Sequence, residues 1–212
     1  MNLSKIDLFL ALKSFITSDF LLQRVEIAFF KNDIKDLTKI TNIFVPRIIN
    51  KQIKKIFAKG EIEGEFILPF NLDGSVAENY EIYAKVLGAD ININSDLKIK
   101  NLSTDIKYVF KSKNDKEINF LINQGKILNL DLQKSSIGIN LKDDKKIIKS
   151  KIKTRGTSKY SEIKIISSLL GLDLRNIKNI ELTSNLETSI QLQLDKRFKI
   201  TNKEFLVTGK IN

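Results

Sequence analysis

Histidine and cysteine are both missing from this sequence of 212 residues. Their absence removes the commonest general base, the usual zinc ligands, thiol nucleophiles and all disulfides. The serine pairs at 135–136 and 167–168 have no histidine to activate them, and the sequence contains no G-x-S-x-G motif. The sequence therefore predicts a protein that is not an enzyme and that uses no metal and no cofactor.

Long apolar runs are missing as well. No stretch approaches the length of about eighteen uninterrupted apolar residues that a membrane-spanning helix needs. The N-terminal run IDLFLALKSFI is interrupted by Asp7 and Lys13, and no small-residue cleavage site follows it. We expect a chain that is soluble or peripherally attached, and its strand-like end KEFLVTGKIN suggests a piece of a longer protein.

Acidic residues are outnumbered, since 36 lysines and arginines stand against 25 aspartates and glutamates, which gives a net charge of +11. This excess indicates an anionic partner such as phospholipid headgroups or nucleic acid, although a composition rich in Ile, Lys and Asn explains it equally well. The best nucleic-acid candidate is residues 146–156, where one strand face would carry Lys149, Lys151, Lys153 and Arg155. Aromatic residues for base stacking do not alternate with these cations, and a strand guarded against edge pairing would carry the same lysines. Nucleic acid is therefore the less favoured partner.

The first 59 residues form a unit of helices with one strand in our interpretation. Apolar spacing predicts a short helix over residues 6–16, a strand over 21–29 and a helix over 32–44 that begins at an Asn-Asp cap. A further amphipathic helix is predicted over residues 47–60, where Gly60 would end it.

The last of these helices is basic and has no acidic companions in the sequence. Such a helix can lie on an anionic membrane surface, or it can pack its apolar side on the protein and leave its lysines in water. The candidates for contact with an anionic surface are Arg47, Lys51, Lys54, Lys55 and Lys59.

From Gly60 onward the apolar period changes to two, which is typical of strands with one apolar and one polar side. Turn signals at 71–74, 113–116 and 143–146 separate these strands, and Gly88 marks a bulge. Only residues 160–172 interrupt the pattern, as a helix or a loop. We predict a mainly β fold in which residues 60–212 form one continuous antiparallel unit of about nine or ten strands.

The longest alternation is IELTSNLETSIQLQL, residues 180–194. As one strand it would be roughly 50 Å long, two to three times the usual strand length. The alternative is a hairpin or two short strands broken at residues 183–185.

Such a sheet must cover its apolar side, either as a sandwich, as a closed barrel or as an open groove that holds apolar ligands. Long strands of constant phase favour the long twisted antiparallel sheet with an open hydrophobic groove. The predicted groove residues are Phe66, Leu68, Phe70, Ile106, Tyr108, Phe110, Ile118, Phe120, Ile122, Leu182, Leu186, Ile190, Leu192 and Leu194.

A sequence phrase within this unit resembles a known family. The phrase consists of Lys59-Gly60, an apolar strand from Glu65 to Phe70, the turn Asp73-Gly74, and Tyr80-x-Ile82-x-Ala84-x-Val86. It is similar to the repeating segments of the AsmA-like bacterial proteins, especially the large YhdP type, in which glycine is commoner at the place of Ala84. The resemblance covers about residues 20–110.

The resemblance implies a periplasmic protein that moves phospholipids between the inner and outer membranes along a hydrophobic β-groove. Members of the family are anchored in the inner membrane, so the anchor would lie in a segment absent from this sequence. The alternative function is a β-sandwich or solenoid that binds protein partners, which the same alternation would also produce.

Overall fold

The computed structural model describes residues 3–10, 22–36, 55–170 and 181–211. The strands are β1 (Leu3–Leu10), β2 (Leu22–Asp33), β3 (Phe57–Pro69), β4 (Tyr80–Asn92), β5 (Lys98–Ser112), β6 (Asp115–Ile127), β7 (Leu130–Leu132), β8 (Ser135–Lys142), β9 (Lys146–Lys159), β10 (Glu181–Leu194) and β11 (Ile200–Ile211). Helix α1 (Tyr160–Leu170) connects β9 toward β10, which confirms the helical interpretation of this segment.

All of these strands belong to one antiparallel sheet of 11 strands. The order follows the sequence, except that β7 and β8 lie end to end between β6 and β9. Among the described strands there is no second sheet, and the edge strands β1 and β11 do not pair with each other. The prediction of a mainly β fold with a long antiparallel sheet is confirmed.

Ser135 holds the break between β7 and β8 in place. Its side chain is 3% exposed, and its hydroxyl donates a hydrogen bond to the carbonyl of Gln133 at 2.8 Å. The same oxygen accepts the backbone N–H of Lys153 in β9 at 2.9 Å, and the N–H of Gln133 reaches the carbonyl of Lys153. The side chain therefore replaces the ladder bonds that the break removes.

The long alternation of residues 180–194 forms a single strand. β10 runs from Glu181 to Leu194 and pairs with β9 along its whole length, including Thr183 opposite Thr157 and Asn185 opposite Arg155. The prediction of one long strand is confirmed, and the alternative break at residues 183–185 is wrong. Because β9 continues its ladder past residues 183–185, the backbone of these polar residues remains hydrogen-bonded.

The N-terminal region departs from the prediction at two places. Residues 6–10, expected in a helix, lie in β1. There the guanidinium of Arg24 makes a cation–π contact with Phe9, at 4.0 Å from the ring centre. Residues 57–60, expected at the end of a helix, begin β3, so the predicted boundary at residue 59 falls within a strand. Residues 34–36 and 55–56 are helical, as predicted, and the rest of the predicted helices, over 11–16, 37–44 and 47–54, lies outside the described residues.

Gly60 and Gly88 illustrate different uses of glycine in the sheet. Gly88 has a φ of 58° and lies at a register shift between Val86 and Ala89, which confirms the predicted bulge. Gly60 was expected to end a helix, but it lies in β3 with a φ of 143°, and a Cβ there would lie 2.8 Å from the Cβ of Ala89. Glycine is needed at this position because β3 and β4 approach each other closely.

Candidate functional site: the apolar face of the sheet

The cross-strand pairs show which residues lie on one side of the sheet, which we call the apolar face. Phe66 of β3 lies opposite Ile82 of β4, which lies opposite Tyr108 of β5, and this residue lies opposite Ile118 of β6. Residues directly opposite each other in a ladder point to the same side. The row continues through Ile139 to Ile148, Leu192 and the edge strand β11.

The predicted groove residues lie together on this face. Register and alternation place thirteen of the fourteen there: Phe66, Leu68, Ile106, Tyr108, Phe110, Ile118, Phe120, Ile122, Leu182, Leu186, Ile190, Leu192 and Leu194. Phe70 lies just beyond the end of β3, where it forms an isolated bridge with Val76. The apolar face also includes residues of β1, β2, β8 and β9 that the prediction left out, such as Ile27, Ile137 and Ile152. The same alternation of apolar and polar residues in the sequence could have identified them.

The apolar face is not a dry interior along its whole length. Of the predicted groove residues, Ile122 alone is buried, at 6% exposure, and the others are half-buried. No large side chain among the described residues is fully buried. Residues in a closed core between two packed layers would be removed from water almost completely. The face therefore keeps apolar surface in contact with solvent.

Burial on this face is asymmetric along the strands. The strand ends joined by turns 70–79, 113–114, 143–145 and 195–199 form one border of the sheet, the hairpin rim. The opposite border, the packed rim, contains the residues that are most buried. These are Ile34, Val86, Ala89, Leu97, Leu102, Ile122, Leu130 and Leu132, which lie between the strand centres and that rim. The hairpin-rim half of the apolar face is consequently the more open half.

The opposite side, the polar face, carries ion pairs between neighbouring strands. Glu81 lies 2.9 Å from Lys107, and Glu187 lies 2.8 Å from Lys151 and 3.5 Å from Lys153. Hydrogen bonding to Glu81, together with Tyr83, raises the pKa of Lys107 to about 12. These exposed pairs indicate that the polar face stands in water, where each contributes little to stability.

The four cations predicted on one side of β9 are on the polar face, as expected, but the interpretation that they guard a free strand edge is wrong. Strand β9 is an interior strand that pairs with β10 on one side and with β7 and β8 on the other. An interior strand has no free edge to protect, so Lys149 and Arg155 are not edge guards.

The structure describes only the end of the predicted basic surface. Arg47, Lys51 and Lys54 lie outside the described residues, and Lys55 is exposed. Lys59 lies 3.4 Å from the carboxylate of Asp90, so the prediction that it has no acidic companion is wrong. The partner is 31 positions away in sequence and becomes a neighbour only through the pairing of β3 with β4.

Three lysines on the apolar face were missed by the sequence prediction: Lys116, Lys146 and Lys203. Each lysine precedes an apolar residue of that face by two positions, so the period of two in the sequence could have placed it there. The Nζ of Lys146 donates to the carbonyls of Asp195 and Lys196 at 3.0 and 2.9 Å. The Nζ of Lys116 lies 5.5 Å from the ring centre of Phe110. Lys203 is exposed on the edge strand, opposite Leu192.

A separate depression of about 570 Å³ lies between β1 and β4. Its lining combines six charged residues, among them Lys5, Arg24, Glu26 and Glu65, with eight uncharged ones that include Ile67 and Pro69. The apolar face is the better candidate for an apolar ligand, because an acyl chain in this depression would lie against six charged side chains as well as apolar ones.

No family model, no curated protein and no solved structure matches this chain. Among the described residues, none of the helices is long and apolar enough to cross a membrane.

Proposed function

We propose that this chain binds acyl chains of phospholipids on its apolar face and transfers them between the inner and outer membranes without catalysis. The observation that carries the proposal is a continuous apolar face from β1 to β11 whose side chains are half-buried rather than sealed. A soluble protein rarely leaves so large an apolar surface without a ligand or a partner.

The proposed mechanism needs no reactive residue. Removing one CH₂ group from water is worth about 0.8 kcal/mol, so a chain of about a dozen carbons is held by many small contacts. Because no contact is specific, neighbouring positions along the face have similar free energies, and a lipid can move between them. The ion pairs of the polar face keep the other side of the sheet in water.

The resemblance to AsmA-like proteins supports the same proposal. In the phrase that carries it, Tyr80, Ile82, Ala84 and Val86 alternate along β4 on the apolar face. Gly64 lies opposite Ala84, and a Cβ there would lie 2.5 Å from the carbonyl of Tyr83. Ala84 of the phrase therefore faces a close approach of β3 at Gly64, and Gly60 of the phrase makes a second close approach at Ala89. Membership in this family and a periplasmic location are parts of the proposal.

One observation favours the alternative function, which is binding of a protein partner. Every residue of β11 is exposed, and Phe205, Leu206 and Val207 are exposed by 48%, 62% and 52%. An exposed edge strand with apolar residues on both sides can accept a strand from another protein. A scaffold would use this edge, whereas a lipid carrier would use the apolar face.

Mass spectrometry of lipids that co-purify with the chain tests the proposal. The protein is purified without detergent, and we expect phospholipid in a reproducible ratio to protein. A second sample, stripped of lipid, is mixed with phospholipid vesicles and separated from them by flotation, after which the protein should again carry lipid. If neither sample contains phospholipid, the proposal is wrong and the scaffold function becomes the better candidate.

A further inference from the structure

The apolar face carries charge of only one sign in the described strands. Its charged side chains in the described strands are Lys116, Lys146 and Lys203, and none of the aspartates or glutamates of those strands lies on this face. All three lysines are at the hairpin rim, next to the turns after β5, β8 and β10. The packed rim has buried serine, threonine and asparagine but no charged residue on the apolar face.

The three lysines form a row across the sheet. Lys116 in β6 lies opposite Leu141 in β8, which lies opposite Lys146 in β9. Lys146 lies opposite Leu194 in β10, and Lys203 in β11 pairs with Leu192 of that strand. Lys116 and Lys146 are therefore about two strand spacings, or about 10 Å, apart, and Lys203 lies two further strands away and about 7 Å farther along the strands from the rim. Leucines separate them, so cationic groups alternate with aliphatic ones along the rim.

Several lysines of the polar face pair with carboxylates, although Lys149 and Lys210 do not, and no ion pair joins the three lysines of the apolar face to a carboxylate among the described residues. On the polar face, Lys107, Lys111 and Lys151 each lie within 2.9 Å of a glutamate. On the apolar face, the Nζ of Lys146 donates hydrogen bonds to two turn carbonyls. The Nζ of Lys116 makes a cation–π contact with the ring of Phe110. The phosphate of a ligand would complement these three cations and form charge-assisted hydrogen bonds with them.

The open half of the face, between this row and the buried residues, is long enough to hold an acyl chain. Lys116 and Ile122 are six residues apart on the same strand, which corresponds to about 20 Å. Half of the hydrocarbon core of a bilayer is about 15 Å thick. A chain of that length that begins at the row of lysines would end about 5 Å before the tightly packed residues around Ile122 and Leu132.

We propose that Lys116, Lys146 and Lys203 bind the phosphates of anionic phospholipids at the hairpin rim, with the acyl chains directed toward the packed rim. This inference rests on the proposed lipid-binding function and adds a headgroup class and an orientation to it. A phospholipid with net negative charge gains from all three cations, whereas in a zwitterionic one the headgroup cation offsets this gain.

The test compares two double variants that remove the same charge from opposite faces. Lys116→Gln with Lys203→Gln removes the two lysines that make no turn contacts, and Lys149→Gln with Lys210→Gln is the control on the polar face. Calorimetry on lipid-free protein measures the affinity for short-chain phosphatidylglycerol and for phosphatidylcholine with the same chains. We expect the first variant to lose about tenfold in affinity for phosphatidylglycerol and to keep its affinity for phosphatidylcholine.

The control variant should retain the preference of the wild type for phosphatidylglycerol. An equal loss in both double variants would mean that net charge alone attracts the lipid, and the inference would be overturned. It would also be overturned if the wild type bound both lipids equally, or if inorganic phosphate bound with the same dependence on Lys116 and Lys203. If the wild type bound neither lipid, the proposed function itself would fail.

Discussion

Ile190 in the centre of β10 lies directly opposite Phe205 of the edge strand β11, and both side chains are on the apolar face. Ile190 is half-buried and Phe205 is 48% exposed, so a charge introduced at this place would be partly hydrated. We expect Ile190→Glu or Leu186→Glu to abolish lipid co-purification. The loss of folding free energy should stay below the several kcal/mol that an unpaired charge costs in a dry interior.

Gln191→Glu is the matched control, because residue 191 is on the polar face of the same strand. It should change neither bound lipid nor stability. The denaturation midpoint must be measured after lipid removal, since a bound ligand itself stabilises the folded state. Variants of Ile190 that unfold outright would indicate a sealed core, and variants that stay folded with their lipid would show that the ligand lies elsewhere.

A second prediction concerns the break between β7 and β8. In Ser135→Ala, the N–H of Lys153 loses its acceptor and the carbonyl of Gln133 loses its donor. Both bonds are partly buried, and the net loss for a typical intramolecular hydrogen bond is about 0.5–1.5 kcal/mol. A urea titration should show this loss, whereas Ser136→Ala, at the exposed neighbouring residue, should stay within about 0.5 kcal/mol of the wild type. Equal effects of the two substitutions would contradict the bridging role of Ser135.

The sequence was sufficient for those parts of the fold that depend on local alternation. In β5, the period of two placed Leu102, Ile106 and Phe110 on one side, and the ladder with β4 and β6 confirms this. In β10, the same period predicted a strand of unusual length. A residue's side of the sheet follows from its parity, so these assignments required no knowledge of distant residues.

The features that were missed depend on partners far away in sequence. The local sequence predicts that Gly60 ends a helix. Only the close approach of Ala89 shows why glycine is required there. Residues 6–10 have apolar residues that satisfy both periods, and pairing with β2 selects the strand. The asymmetry of burial, with Leu102 buried and Phe110 half-buried on one strand, arises from packing at one rim and leaves no local signal.

Gly156 provides a third prediction. It has a φ of 153°, and a Cβ there would lie 2.6 Å from the carbonyl oxygen of Asn129. Gly74 also has a positive φ, of 81°, but a Cβ at that position meets nothing within 4 Å. We expect Gly74→Ala to lose only about 1–2 kcal/mol through backbone strain. Gly156→Ala should lose about 1–3 kcal/mol more because β9 must move away from the loop before β7. Equal denaturation midpoints for the two variants would exclude the close approach.

The last prediction concerns the acid sensitivity that Asp90 gives to the fold. Its carboxylate accepts the backbone N–H of Asn101 at 2.9 Å and lies 3.4 Å from the Nζ of Lys59. The hydrogen bond from Asn101, and then Lys59, lower the pKa of Asp90 from its ordinary value of 3.8. Because the pKa is lower in the folded state, this stabilisation is complete above the unfolded value and is lost as the pH falls through the folded value.

Asp90→Asn keeps an oxygen for Asn101 but cannot titrate, so the difference in denaturation midpoint between wild type and variant should shrink between about pH 6 and about pH 2. Asp143→Asn, which removes the same charge from an exposed turn, is the control, and a constant difference for Asp90→Asn over this range would contradict the assignment.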